Sequence, residues 1–429
     1  MSENDEDAAI ETLEGLAEAA ETGHADAQHR LGVMYYTGRG VGQDFTEAEK
    51  WFARAAEKGH VEAQNCLGEM YYTGRGVERD CPKAAKWYGM AAEQGHAEAQ
   101  LNLGWMHYTG QGVAQSDAKA AGWYRRAADQ GNANAQCNLG MLHLNGTGVT
   151  KDSAEASKWL RRAAEQGHAA AQYNIGLMHA KGDGVAQNEA EAERWWRSAA
   201  GQGHPGAQYN LGAMYANGRG VGQDHAEAAK WFRLAAEQGE VAAQCNLGEM
   251  YEMGRGVAED SAEASRWYLL AAGRGHAEAQ FRLGLLFLTG QGLKQDYAEA
   301  AKWFRLAAEQ GHAVAQSNLS VLCASGRGVP RDSSEAAKWS RLAAGNRKKT
   351  GNGNKCYIAT AVYGSQHCKE VLILRRFRDD VLAKSALGKA FIRVYYALSP
   401  FCVKTIGGCG WAKKTIRILL DKIVVRIGC

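Results

Sequence analysis

The sequence predicts an all-α protein: an α/α superhelical solenoid of nine 36-residue helix-turn-helix repeats, followed by a small, mostly helical C-terminal module. Three observations predict it. Trp51, Trp87, Trp123, Trp159, Trp195, Trp231, Trp267, Trp303 and Trp339 stand 36 residues apart without an insertion, and self-similarity at such a period marks stacked supersecondary units. A second series, running from Gln28 to Gln316, keeps the same phase. The 429 residues are too many for one compact core, yet the chain holds only four prolines and no low-complexity run interrupts its first three quarters. That suits a quasi-linear array.

Residues 1–23 form an acidic segment and a capping helix. Residues 8–21 fit a second helix in which Gly15 stands 36 residues before Trp51, a polar half-unit that closes the end of the stack. The nine repeats occupy residues 24–345. In the first, His24 to Thr37 places Ala27, Leu31, Met34 and Tyr35 on one helical stripe. Gly38 and Gly40 then end the helix by taking the left-handed backbone that a Cβ disfavours. A G-x-G with no flanking strand and no third glycine is not a nucleotide fingerprint.

Each second helix opens at a capping residue: Asp44, Asp80, Ser116, Asp152, Asn188, Asp224, Asp260, Asp296 and Asp332. Glu47, Glu155, Glu191, Glu227, Glu263, Glu299 and Glu335 follow three residues on and predict reciprocal capping boxes. Paired carboxylates suit acid/base catalysis, but their recurrence at helix starts assigns them to structure. Trp51, Ala55 and Ala56 predict a packing face, with the indole expected against Gly32. A turn at Gly59 leads through His60 into the next unit, so successive helices run antiparallel.

The string A-x-A-Q-x-x-L-G-x-M-Y-x-x-G-x-G-V, followed by D-x-x-E-A-x-K-W-F-x-x-A-A-E-x-G, resembles the Sel1-like repeat, a subclass of the tetratricopeptide-like solenoids. The resemblance covers about residues 8 to 345 in nine in-phase copies. It implies a right-handed superhelix, a concave face that binds peptides or proteins, and an adaptor role. It names no partner.

Candidate binding residues lie on the first helices. Asn102, Asn138, Asn174, Asn210, Asn246 and Asn318 share one repeat position; such a ladder of amides either clamps an extended peptide or serves each neighbouring loop, and the sharing favours the second. Positions that differ between units are better candidates. Just before the asparagine stand Leu101, Cys137, Tyr173, Tyr209, Cys245, Phe281 and Ser317; one turn later stand Trp105, Met141, Leu177, Ala213, Leu285 and Val321. Either these residues bury one another or they present an apolar groove on the inner wall. His24, His60, His96, His168, His204, His276 and His312 follow turn glycines, and one histidine per unit supplies no four-ligand metal site. A helix-start role is expected, and neither metal nor cofactor.

Ten cysteines without paired spacing point to a reducing, cytoplasmic compartment. The N-terminus has no signal-peptide core, and no run of eighteen uncharged apolar residues predicts a membrane span. Charge divides the chain. Residues 346–429 hold 17 Lys+Arg against 4 Asp+Glu, a net of +13, while residues 1–345 carry a net of −10. An acidic array with a basic tail points to an acidic protein, anionic lipid or phosphate, or to the array itself.

Residues 346–355 read as a basic, glycine-rich linker. Beyond it, Cys356, Tyr357, Ile358, Tyr363, Gly364 and Ser365, within CYIATAVYGS, resemble the CFI-box of bacterial C-terminal domains, with Tyr357 in the place of the naming phenylalanine. That resemblance covers about residues 356–428, implies a bacterial origin and assigns no activity. Cys356 as nucleophile with His367 as base lacks an orienting carboxylate, and the module's cysteines lack zinc spacing. Residues 411–427 place Ile416, Leu419, Leu420, Ile423 and Ile427 on one arc, which fits either a membrane-surface helix or a helix covering a small core.

The leading functional expectation is a non-enzymatic adaptor with two contacts, the concave face for a protein or peptide and the basic module for a second partner. The alternative places an enzyme or a membrane-surface regulator in residues 356–429, peripheral to the inner face of the membrane. Nucleic acid is disfavoured, because the module's tyrosines sit in apolar patterns rather than in a strand-recognition motif.

Overall fold

The computed structural model describes residues 13–349, and all regular structure there is helical, in nineteen helices. A capping helix, Leu13–Thr22, precedes nine hairpins that begin with Ala25–Thr37 and Phe45–Glu57 and end with Ala313–Ser325 and Ser333–Lys349. The chain divides into two compact units, one holding residues up to Gln310 with Gly326–Pro330, the other Gly311–Ser325 with the residues from Arg331. The N-terminal residues before Leu13 and the whole of the CFI-box-like module lie outside the described residues.

The caps form as the sequence predicts. Asp44 is extended and accepts from the N–H groups of Thr46 and Glu47, and the capping residues 80 through 296 accept in the same way. The reciprocal half of the expected capping box is replaced. The Asp44 N–H donates to the Tyr35 carbonyl at 2.9 Å, and the equivalent bond recurs in every unit to Asp332 and Cys323. With its target taken, the glutamate turns outward, as in the Glu47–Lys50 and Glu155–Lys158 pairs.

First helices close on the left-handed glycine. At Gly182 φ is +72°, and its N–H returns to the Met178 carbonyl at 2.8 Å. The second glycine of the pair has a different reason. A Cβ on Gly184 would strike the Ser153 carbonyl, at the start of the preceding second helix, so glycine there lets one unit's loop seat on its neighbour.

The large-against-small packing corrects the sequence expectation by one residue. Gly32 meets the ring of Phe52, not the indole of Trp51. The same close approach pairs Gly104 with Tyr124, Gly140 with Leu160, Gly176 with Trp196, Gly212 with Phe232 and Gly284 with Phe304. In the second compact unit, serines at 320 and 340 replace both partners, and the Ser320 hydroxyl donates to the Ala336 carbonyl at 2.7 Å. In the first compact unit the tryptophans serve the preceding repeat. Trp51 packs with Leu16 and Ala20 of the capping helix and with Leu31, while Trp195 packs with Cys137, Ala156 and Leu160.

Polar bonding joins successive units at the buried glutamines. Gln172 donates to the Ala164 carbonyl at 3.0 Å and accepts from Gln202 at 2.8 Å. Each acceptor lies thirty residues before its donor, and the link recurs at Gln64, Gln100, Gln136, Gln208 and Gln280. Asn346 supplies the donor to Gln316 at 3.2 Å. The final helix therefore runs on to Lys349 through Gly345, so the first residues of the expected linker 346–355 are helical and Asn346 belongs to the array.

Candidate functional site

The predicted site residues on the first helices lie at unequal depth. Leu101, Cys137 and Cys245 are buried, and Phe281 is only 1% exposed, its ring 6.0 Å from that of Phe304. Phe281 is a core residue and drops out of the expected groove. Tyr173 and Tyr209 are half-buried. Tyr173 stacks on His204 at 4.5 Å and Tyr209 tilts over Phe232 at 5.8 Å, so both rings fill seams between helices before they meet any partner.

The asparagines are half-buried in all six units. Asn174 donates back to the Ala170 carbonyl of its own helix at 2.8 Å, whereas the Asn210 Nδ2 is buried without a hydrogen-bond partner. Arg282 occupies the same repeat position and carries a different chemistry. It pairs with Glu278 at 2.8 Å and Glu252 at 3.4 Å, and Glu252 also accepts from the Tyr268 hydroxyl at 2.6 Å. Burial of that phenol and its neighbour Glu252 push its pKa well up, which keeps it a neutral donor.

The third position is where the face opens. Trp105 is 45% exposed; its Nε1 donates to the Tyr72 hydroxyl at 3.2 Å, and its ring lies 6.0 Å from that of Tyr108, which is 38% exposed. One unit earlier the Tyr36 hydroxyl accepts from Arg75 at 2.6 Å and donates to Glu69. Tyr36, Tyr72 and Tyr108 thus extend the patch that Trp105 begins. Sequence reasoning missed them, although their spacing of 36 residues was the available signal. Met141, Leu177 and Ala213 are half-buried, Leu285 is buried and Val321 is exposed.

Six of the seven turn histidines cap their helices through the side chain, while His24 sits at the N-cap without such a bond. The Nδ1 atoms of His60, His96, His168, His204, His276 and His312 accept the N–H of the alanine three residues on, at 3.1 to 3.3 Å. Acceptance at Nδ1 places the proton on Nε2, which in His168 meets the Asn134 Oδ1 at 3.0 Å. Burial lowers the pKa of His168 and His204, favouring this neutral form.

Burial pushes the Cys66 and Cys245 thiols up to about 12 and Cys137 to about 11, so they stay protonated and make poor nucleophiles. Among the described residues no cluster of His, Cys, Asp and Glu has the arrangement of a metal site, and no helix is long and apolar enough to cross a membrane. Cys356, Tyr357, Ile358, Tyr363, Gly364, Ser365 and His367 lie outside the described residues.

The family model described as Sel1 repeat matches nine successive stretches: residues 25–60, 61–96, 97–132, 133–168, 169–204, 205–240, 241–276, 277–312 and 313–346. Among solved structures, the chain is similar to a protective antigen present in uropathogenic Escherichia coli strains that displays an SLR fold. The identity is 29% over 97% of this chain and 94% of that one, with a TM-score of 0.65. It is also similar to a Sel1 repeat protein from Oxalobacter formigenes, with 35% identity over 72% of this chain and 90% of that one and a TM-score of 0.57. No curated protein sequence matches.

Proposed function

The chain belongs to the Sel1 repeat family, and from that premise we propose that it is a non-enzymatic, cytoplasmic adaptor whose first-helix face holds a protein or peptide. Solenoids of this kind generally bind proteins. The observation that carries the reading is the exposed pair Trp105 and Tyr108, with Trp105 donating to the hydroxyl of half-buried Tyr72. Tryptophan and tyrosine dominate binding hot spots because they bury large area with few rotors. At the Trp105 position the neighbouring units hold Glu69 and Met141, so the indole is local and confers selectivity.

Changing Trp105 and Tyr108 together to alanine tests this. The variant is expected to melt like the wild type and to lose the partner that wild-type protein captures from the native cell. Retention of that partner by a folded variant moves binding off this face.

The basic module supplies the second contact in this reading. Its net charge of +13 over residues 346–429 favours an acidic protein or an anionic lipid surface. Sedimentation of the full chain with anionic liposomes at low and physiological salt separates the two, since binding at neither salt leaves the acidic protein.

A further inference from the structure

The chain of glutamine links is broken at two units: in the first repeat Lys58 reaches the Gly23 carbonyl and leaves the Gln28 Oε1 without a partner, and in the seventh the break opens beside a cleft. Where Gln202, Gln238 and Gln310 stand in other units, the second helix Ser261–Gly273 is capped by Arg274. Its guanidinium reaches the Gly239 carbonyl at 2.6 Å and does not reach Gln244. The Gln244 amide nitrogen still donates to the Ala236 carbonyl at 3.0 Å. Its Oε1, in a residue 4% exposed, is left without a hydrogen-bond partner, an unfavourable state for a buried acceptor.

A cleft of about 430 Å³ adjoins Gln244. Gln244 and Arg274 line it with the half-buried Trp267 and with Leu270, which is 52% exposed; Glu237 and the Gly239 turn complete the wall. All of these residues belong to the first compact unit.

We propose that this cleft takes the side-chain carboxamide of a glutamine on a partner polypeptide. The group reproduces from outside the amide that the other units supply from within. Its NH₂ donates to the Gln244 Oε1, as Gln202 does to Gln172 at 2.8 Å, and its oxygen accepts from Arg274. Charge selects against the alternatives. A lysine ammonium would donate to Gln244 but meets the Arg274 cation, and a carboxylate would pair with Arg274 but sets an acceptor against the Gln244 acceptor beside Glu237. Only a group with both donor and acceptor matches the two sides.

Reach favours glutamine over asparagine. Within the array the shorter Asn346 makes the same bond at 3.2 Å, against 2.7 to 2.8 Å for the glutamines. Trp267 and Leu270 cover the methylene stem, and exposed Leu234, Leu269 and Leu306 offer apolar surface to flanking residues. The site is separate from the aromatic patch on the first helices and stands without it.

The test uses full-length, isotope-labelled protein and capped amino acids as probes, following the Gln244 side-chain amide and the Arg274 Nε–H by NMR. N-acetylglutamine methylamide is expected to shift both resonances in a dose-dependent way, while the glutamate and norleucine counterparts leave them in place. Arg274→Gln restores the amide in cis, as in the units that carry glutamine there, so it is expected to fold, to melt no lower than wild type and to lose the response. No shift up to the probe's solubility, an equal shift with the glutamate or norleucine probe, or an undiminished response in folded Arg274→Gln would overturn the proposal.

Discussion

The seam inside each unit and the outward side of the first helices are built from opposite rules. In the seam the chemistry recurs: a glycine against a ring or leucine, a capped helix start, a glutamine donating to the carbonyl eight residues before it. On the outward side the same repeat position holds Glu69, Trp105, Leu177 and Val321 in different units. Nearest-neighbour stacking explains the first rule, because every interface must satisfy the same buried groups to keep the array growing. Where stacking makes no demand, the chain is at liberty to vary, and that is where a partner is selected. Changes in the seam are therefore expected to cost stability, and changes on the outward side to cost binding.

The largest loss is expected from Trp195→Ala. The indole is buried against the preceding unit, and a cavity of that size costs about 3 to 5 kcal/mol. Urea melts measure it, and a change within error would place the ring outside the seam. Next comes Gln172→Ala, which strips the Ala164 carbonyl and the Gln202 amide of their partner and is expected to cost about 2 to 3 kcal/mol. Gln244→Ala sharpens the point. It breaks one bond where Gln172→Ala breaks two, so it is expected to destabilise less; an equal loss would mean that Gln244 Oε1 is satisfied.

A smaller effect follows from the capping histidines. His168 and His204 fold with lowered pKa values because burial disfavours the charged ring. The unfolded chain therefore binds these protons more readily. The stabilisation is complete above the ordinary histidine value of about 6.5 and is lost as pH falls through the folded values. Protonation also removes the Nδ1 acceptor, a cap of about 1 kcal/mol, and sets a cation at a helix N-terminus. His168→Asn with His204→Asn copies the cap that Asn132 forms. It is expected to flatten the dependence of melting temperature on pH between about 7.5 and 5, and an unchanged slope would assign the acid sensitivity elsewhere. The smallest effect on stability is expected from Trp105→Ala, within about 0.5 kcal/mol, since its ring leans on solvent.

What was legible in the sequence was whatever one residue decides by its own chemistry. Asp44 as a cap, Gly38 as a left-handed stop and the 36-residue register needed no knowledge of distant neighbours. The ring against Gly32 was read one position early, because adjacent helical residues point about 100° apart and the pattern alone does not say which faces the partner helix. The capping box failed because its target N–H is claimed by the Tyr35 carbonyl nine residues back, across a loop. The glutamine series was visible, but its bonding was not, since the donor sits thirty residues later. Among site residues, exposure did not follow from repeat position, since Trp105 is open where Leu285, at the same place one turn beyond the asparagine, is buried. Phe281 looked equivalent to Tyr173 until the neighbouring Phe304 covered it.

The central claim is that the outward side of the first helices selects the partner while the seam only builds the array. Site-specific photo-crosslinking in the native cell tests it most directly, with benzoylphenylalanine placed at Trp105 and, in a separate protein, at Met90, which is also exposed but lies on the second helix Cys81–Glu93. The account predicts one discrete adduct from position 105 and none of that mass from position 90. The same adduct from both positions, or from position 90 alone, would contradict it.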